Sequence, residues 1–204
     1  METVFFIAIL IMSVVIHEVA HGFVAEYYGD NTARKAGRLT LNPIKHLDMF
    51  GSILLPLMLV LFKSPFLIGW AKPVPVNPYN LIDRKWGSFW VSFAGVLCNF
   101  FLAIFFGLIL RFVMGAGYFT EAYFIVSSIV LVNLGLGLFN LIPVPPLDGS
   151  KILFALLPES ATPFIEFMEK YSIALLLFFL FFLLDYLFPV MKFLYFVITG
   201  MNFS

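Results

Sequence analysis

Charge is what this sequence has least of. Only 12% of its residues are Asp, Glu, Lys or Arg, and the 12 basic side chains are matched by 12 acidic ones. A soluble domain usually carries about twice that charged fraction. A net charge of zero leaves no electrostatic footprint for nucleic acid, so no such partner is expected. Cysteine is almost missing too: the single Cys98 excludes an intramolecular disulfide. No basic segment precedes the first apolar run, whose first charge is Glu2 and which continues past the length of a cleaved signal. That helix is expected to be retained. Internal repeats and low-complexity linkers are also lacking.

Apolar side chains fill the space. They make up 62% of the chain, with 27 phenylalanines among them, against about 45–50% in an ordinary soluble domain. The mean hydropathy is +1.01. The chain reads as an integral membrane protein whose first partner is the lipid bilayer, with its 204 residues forming one membrane domain, 1–204. A spanning helix needs about 20 mostly apolar residues. Four stretches qualify, at about 4–27, 88–112, 122–141 and 171–199. The apolar stretch 49–62 is short and carries Gly51 and Pro56, which suits a re-entrant segment. The fold class expected is therefore all-α and polytopic, with about four transmembrane helices, one re-entrant segment and minor β structure in the loops. Thr40 and Leu41 are the weak candidates for that β structure.

Punctuation supports these bounds. The prolines of "GWAKPVPVNPYN", residues 69–80, forbid helix there. "IPVPPLDG" ends the 122–141 helix, and "DGSKILFALL" restarts as a short one with Asp148 as a candidate cap. Trp70, Trp86 and Trp90 read as interfacial belt residues. Arg34, Lys35, Arg38 and Lys45 follow the first helix, and Lys63, Lys72, Arg84 and Lys85 lie in the next polar loop. Both loops read as cytoplasmic by the positive-inside rule. They share a side only if 49–62 dips in and returns, which makes the first helix and the 122–141 helix parallel.

Inside the first span lies "SVVIHEVAHGF", beginning at Ser13. Ionisable groups at membrane depth are expensive and point to function. His17 and His21 are one helical turn apart, about 40° round the axis, so both imidazoles project from one face. Glu18 lies on the same side. This H-E-x-x-H pattern gives two neutral imidazoles for a tetrahedral metal and a carboxylate beside its open position. Zinc, one per chain, is the expected cofactor, with Glu18 shuttling the proton. A third ligand must come from elsewhere, and His46, Asp48, Glu26, Asp148 and Asp185 are the candidates. Depth favours Asp148, which follows a helix parallel to the first on backbone that three prolines hold out of helix. Asp185 stands as its rival.

"HEVAH" on the first helix, "FAGVLCN" at residues 93–99 and "FNLIPVPPLDG" at 139–149 together resemble the site-2 protease family of intramembrane zinc metalloproteases. "GWAKPVPVNP" resembles a loop of its compact bacterial and archaeal members. The resemblance implies His17, His21 and Asp148 as zinc ligands and Glu18 as general base. It implies that Asn140 helps bind the substrate strand or stabilise the oxyanion, with Asn99 as a candidate substrate contact. Two departures stand out: Val96 occupies the position of a usual proline, and no PDZ or CBS-like insertion is present. The function so implied is hydrolysis of peptide bonds within or next to the transmembrane segments of membrane-protein substrates, in a prokaryotic cell membrane. The Pro-rich loop and the re-entrant segment are placed to bind substrate as an added strand. The rival classes are a membrane metal-binding or transport protein and an inactive scaffold. Glu18 beside the ligands favours hydrolysis.

Overall fold

A computed structural model describes residues 2–54, 58, 61–62, 71–114 and 120–202 of the chain. Its principal helices are α1 (Glu2–Tyr27), α2 (Thr32–Lys35), α3 (Arg84–Ile109), α4 (Thr120–Asn140), α5 (Asp148–Leu156), α6 (Thr162–Lys170) and α7 (Ser172–Thr199). Among the described residues there is no strand, and Thr40 and Leu41 lie in irregular backbone. The expectation of minor β structure there is corrected: the polar groups of this loop are met by side chains, as where Asn42 caps the 3₁₀ turn Pro43–His46.

Among the described residues three helices are long and apolar enough to cross a membrane, and a fourth joins them if the two halves of α7 form one span. Those halves, Ser172–Phe182 and Asp185–Thr199, meet at 65°. Pro189, which has no N–H to give the Asp185 carbonyl, lies inside the second half. α3 starts before its apolar run because Asp83 caps it, accepting from the Trp86 N–H at 2.9 Å. Trp86 and Trp90 are exposed on its first turns, as a belt requires; Trp70 lies outside the described residues.

α3 is the central helix and packs against α1, α4, α5 and α7. Ala103 of α3, Leu110 of the π-helical turn that follows it, Val130 and Leu134 of α4 and Tyr195 of α7 form a core with no exposed surface. A second cluster gathers Ile142, Val144 and Leu147, between α4 and α5, against Met168 of α6. That cover lets irregular backbone sit at membrane depth. Outside, Phe5, Phe101, Phe105, Phe178 and Phe181 face outward, as side chains that meet lipid should. The chain is an all-α, multi-pass membrane protein.

Contacts set the helix directions. His21 meets Val91, and His17 meets Asn99, so α1 and α3 are antiparallel. Ser13 meets Asn133, and His17 meets Asp148 beyond the end of α4, so α1 and α4 are parallel. The Ile82 N–H donates to the Tyr28 carbonyl at 2.9 Å, joining the end of α1 to the approach of α3. Both basic loops therefore attach on one side of the bundle. Met49–Leu54 forms a π-helical turn, whereas residues 55–57 and 59–60 of the expected re-entrant segment lie outside the described ones.

Candidate active site

The chemistry-bearing face of α1 turns inward. His17 and His21 are 5% and 8% exposed, and Asp148, 131 residues from His17, is 7% exposed beside them. The Nε2 atoms of the two histidines are 2.9 Å apart, and each lies 3.1 Å from Oδ2 of Asp148. Among the described residues this is the one group of three metal-ligating side chains whose donor atoms converge.

The tautomers explain why the triangle wants a cation. The Nδ1–H of His21 donates to the Val91 carbonyl at 2.6 Å, and that of His17 donates to Oδ1 of Asn99, also at 2.6 Å. Each Nε2 is then left with a lone pair. Two lone pairs and a carboxylate oxygen facing one another repel unless a positive ion sits between them. Ligand atoms placed tetrahedrally about 2.0–2.1 Å from zinc lie roughly 3.3 Å apart, close to the triangle seen. Two imidazoles and one carboxylate suit zinc better than magnesium or calcium, which take mainly oxygen ligands.

Two glycines let the pieces approach. A Cβ at Gly95 of α3 would sit 2.5 Å from Cε1 of His21 and 2.7 Å from Cε1 of His17. A Cβ at Gly149 would come within 2.3 Å of the Leu141 carbonyl oxygen. Asp148 itself is the first residue of α5, behind an N-cap at Leu147, and makes no side-chain cap. Its carboxylate faces the histidines instead, so the reading of Asp148 as a cap is corrected.

The triangle opens on a cavity of about 370 Å³, whose wall also includes Glu18, Val74, Ser92, Asn140 and Lys151. Oε2 of Glu18 accepts from the Val74 N–H at 2.7 Å. The segment carrying Val74 is clamped by the Arg38 guanidinium, which donates to the Lys72 carbonyl at 2.7 Å, and by Asp30, which accepts from the Asn77 N–H at 2.6 Å. Asn140 ends α4 at the cavity wall, its Nδ2 donating to the Leu136 carbonyl at 3.0 Å. Asn99 is not among the residues lining the cavity. It is 1% exposed and lies behind His17, with Nδ2 donating to Oδ1 of Asn133 at 2.9 Å. The other third-ligand candidates are elsewhere. Glu26 pairs with Arg34; His46 is buried with Nε2 donating to the Thr40 carbonyl; Asp48 accepts from the Gly51 N–H; Asp185 is exposed on α7.

Sequence reasoning passed over several members of this site. Lys151 could have been found, since it lies one turn beyond Asp148, and its Nζ is 3.6 Å from Oδ1 of that residue. Asn133, Val74 and the Val91 carbonyl carry no local signal; only the tertiary fold brings them in.

The sequence profile of Peptidase family M50 matches residues 115–183, which include Asn140 and Asp148. YwhC of Bacillus subtilis is 42% identical over 169 residues, covering 80% of this chain and 74% of its own length. The chain belongs to peptidase family M50. Rip2 of Mycolicibacterium smegmatis is 31% identical over 68% of this chain and 52% of its own length. MJ0392 of Methanocaldococcus jannaschii is 28% identical over 74% of this chain and 34% of its own. All three carry "zinc metalloprotease" in their names. No solved structure matches. Family and donor set agree on zinc as the cofactor.

Proposed function

We propose that this chain is an intramembrane zinc metalloprotease of the H-E-x-x-H type. It would hydrolyse peptide bonds within or next to the transmembrane segments of membrane-protein substrates, in regulated intramembrane proteolysis. The observation that carries the reading is the convergence of His17, His21 and Asp148 in a buried triangle with Glu18 in the same cavity wall. These three side chains hold the zinc. Bound there, zinc supplies Lewis acidity, bringing the pKa of water to about 7 and polarising a carbonyl.

The chain's own groups do the rest. Glu18 is the general base. The Val74 N–H fixes one of its oxygens, and the other takes the proton of the attacking water and passes it to the leaving amine. Asn140 has a second amide N–H beyond the one given to Leu136, and with it holds the substrate backbone or the developing oxyanion. Asn99 serves better as the support of His17 than as a substrate contact. Substrate enters unwound, since a helical peptide bond is shielded by its own hydrogen bonds. The extended segment at Val74 runs along the cavity, although Pro73 and Pro75 lack N–H groups and Val74 gives its own to Glu18, so it offers a substrate strand mainly carbonyls.

Arg34, Lys35, Arg38 and Lys72 put the side where α1 ends and α3 begins in the cytoplasm. The compartment proposed is a prokaryotic cell membrane, and the three relatives come from two bacteria and an archaeon. Zinc analysis of purified variants tests the site. Asp148→Ala should lose most of the approximately one zinc per chain expected of such a site, and Asp185→Ala should keep it. The opposite pattern would contradict the ligand set.

A further inference from the structure

Behind His17, away from the cavity, three polar side chains are buried among α1, α3 and α4. Asn133 is 0% exposed, Asn99 1% and Ser13 4%. No step of the hydrolysis uses Asn133 or Ser13. We propose that they form with Asn99 a directional amide relay that fixes the tautomer of His17, and so sets how tightly the site holds its metal. The proposal rests on the reading of His17, His21 and Asp148 as zinc ligands.

The direction follows from one group that can only accept. Nδ2 of Asn133 lies 2.8 Å from the Ile129 carbonyl oxygen of its own helix and 2.9 Å from Oγ of Ser13. Its amide nitrogen must face them, which turns its Oδ1 toward Asn99. That oxygen accepts from Nδ2 of Asn99 at 2.9 Å. Asn99 is thereby turned so that its own Oδ1 meets Nδ1 of His17 at 2.6 Å. An amide oxygen cannot donate, so Nδ1 carries the proton and Nε2 presents a lone pair to the metal. Flipping either amide would set oxygen against oxygen or N–H against N–H among side chains with almost no exposed surface, where a mismatch is costly. His21 needs no relay, because the Val91 carbonyl holds its Nδ1–H directly. Ser13 and Asn133 are positioning residues: they act on the metal only through Asn99 and His17.

Buried asparagines also glue membrane helices together, and that role alone would cost stability without touching metal affinity. The test therefore measures zinc affinity by chelator competition, with melting on the same samples, for the full chain in phospholipid nanodiscs. Removing the partner of a ligating histidine typically costs about 10–100-fold in metal affinity, and Asn133→Leu should fall in that range. Asn99→Asp should hold zinc within about threefold of wild type, because its carboxylate accepts from Nδ1–H whichever way it is turned. For the same reason Asn133→Leu should cost almost nothing further in the Asn99→Asp background. The other oxygen of that carboxylate, now facing Oδ1 of Asn133, should show only as lower melting. Wild-type affinity in Asn133→Leu would overturn the relay, as would an undiminished penalty in the double variant. The histidine ¹⁵N spectrum of the zinc-depleted wild-type chain needs no substitution: the relay requires the Nδ1–H form of His17, and the Nε2–H form would overturn it. An Asp148→Ala control that binds zinc like wild type would instead sink the ligand assignment, and the relay with it.

Discussion

Asn140 sits where two demands meet. It terminates α4, and it stands in the wall of the cavity that holds His17, Glu18 and Asp148. As an oxyanion or substrate donor, Asn140→Ala should lose about 10²–10³ in kcat, the usual cost of one such donor. Zinc content and melting temperature should stay near wild type. A helix-terminating role alone predicts the reverse, lower melting with activity per folded molecule preserved, and single-turnover rates on zinc-quantified protein decide between them. At this scale the sequence was informative wherever spacing along one helix did the work. His17, Glu18 and His21 were legible because a turn of helix alone brings them to one face. Asp148 was reachable by an argument from depth. Asn99 was legible as a buried polar group but not in its direction: it faces Nδ1 of His17 rather than the cavity. The close approach of Gly95 to both imidazoles is a tertiary fact that no local pattern carries.

Between α1 and α3, side chains hold the segment that supports Glu18. Asp30, with no exposed surface, accepts from the Asn77 and Thr32 N–H groups and from Nδ2 of Asn80. Burial alone would raise its pKa, but these donors outweigh it and hold the carboxyl below its ordinary 3.8. A carboxylate with a depressed folded pKa contributes stability that is present above the unfolded value and lost as pH falls through the folded one. The wild-type melting temperature should therefore drop as pH falls below about 4. Asp30→Asn, losing about 1–3 kcal/mol of charged hydrogen bonding, should melt lower at pH 7 and show a weaker acid limb. Equal acid limbs in the two proteins would show that Asp30 does not clamp the loop. Spans were readable here because length and hydropathy suffice for them. The start of α3 at Arg84 was not, since the cap at Asp83 draws two charged residues into the helix. The clamp at Asp30 was missed for a different reason: a lone Asp after "YG" looks like any turn residue.

For the whole molecule, the arrangement of α1, α3 and α4 makes a topological claim. The ends that meet through Tyr28 and Ile82 place both basic loops on one side. Cysteines at Lys35 and Lys72, in a Cys98→Ser background, should both be labelled by an impermeant reagent from the same side, the cytoplasmic one. Labelling from opposite sides would break the parallel pairing of α1 and α4 on which the junction of His17 with Asp148 depends. The charge pattern of the loops made this side-sharing legible, since positive residues record insertion as well as structure. What no one-dimensional pattern recorded was the helix–helix register that sets Ser13 opposite Asn133.

The central claim is proteolysis inside the bilayer by a zinc site whose base is Glu18. Its most direct test maps new protein termini in membranes of cells carrying wild-type enzyme or Glu18→Gln, at matched expression and zinc content. Fragments ending within or next to transmembrane segments should be present with the wild type and absent with Glu18→Gln, their intact parents accumulating. Identical fragment sets in both membranes would contradict the account.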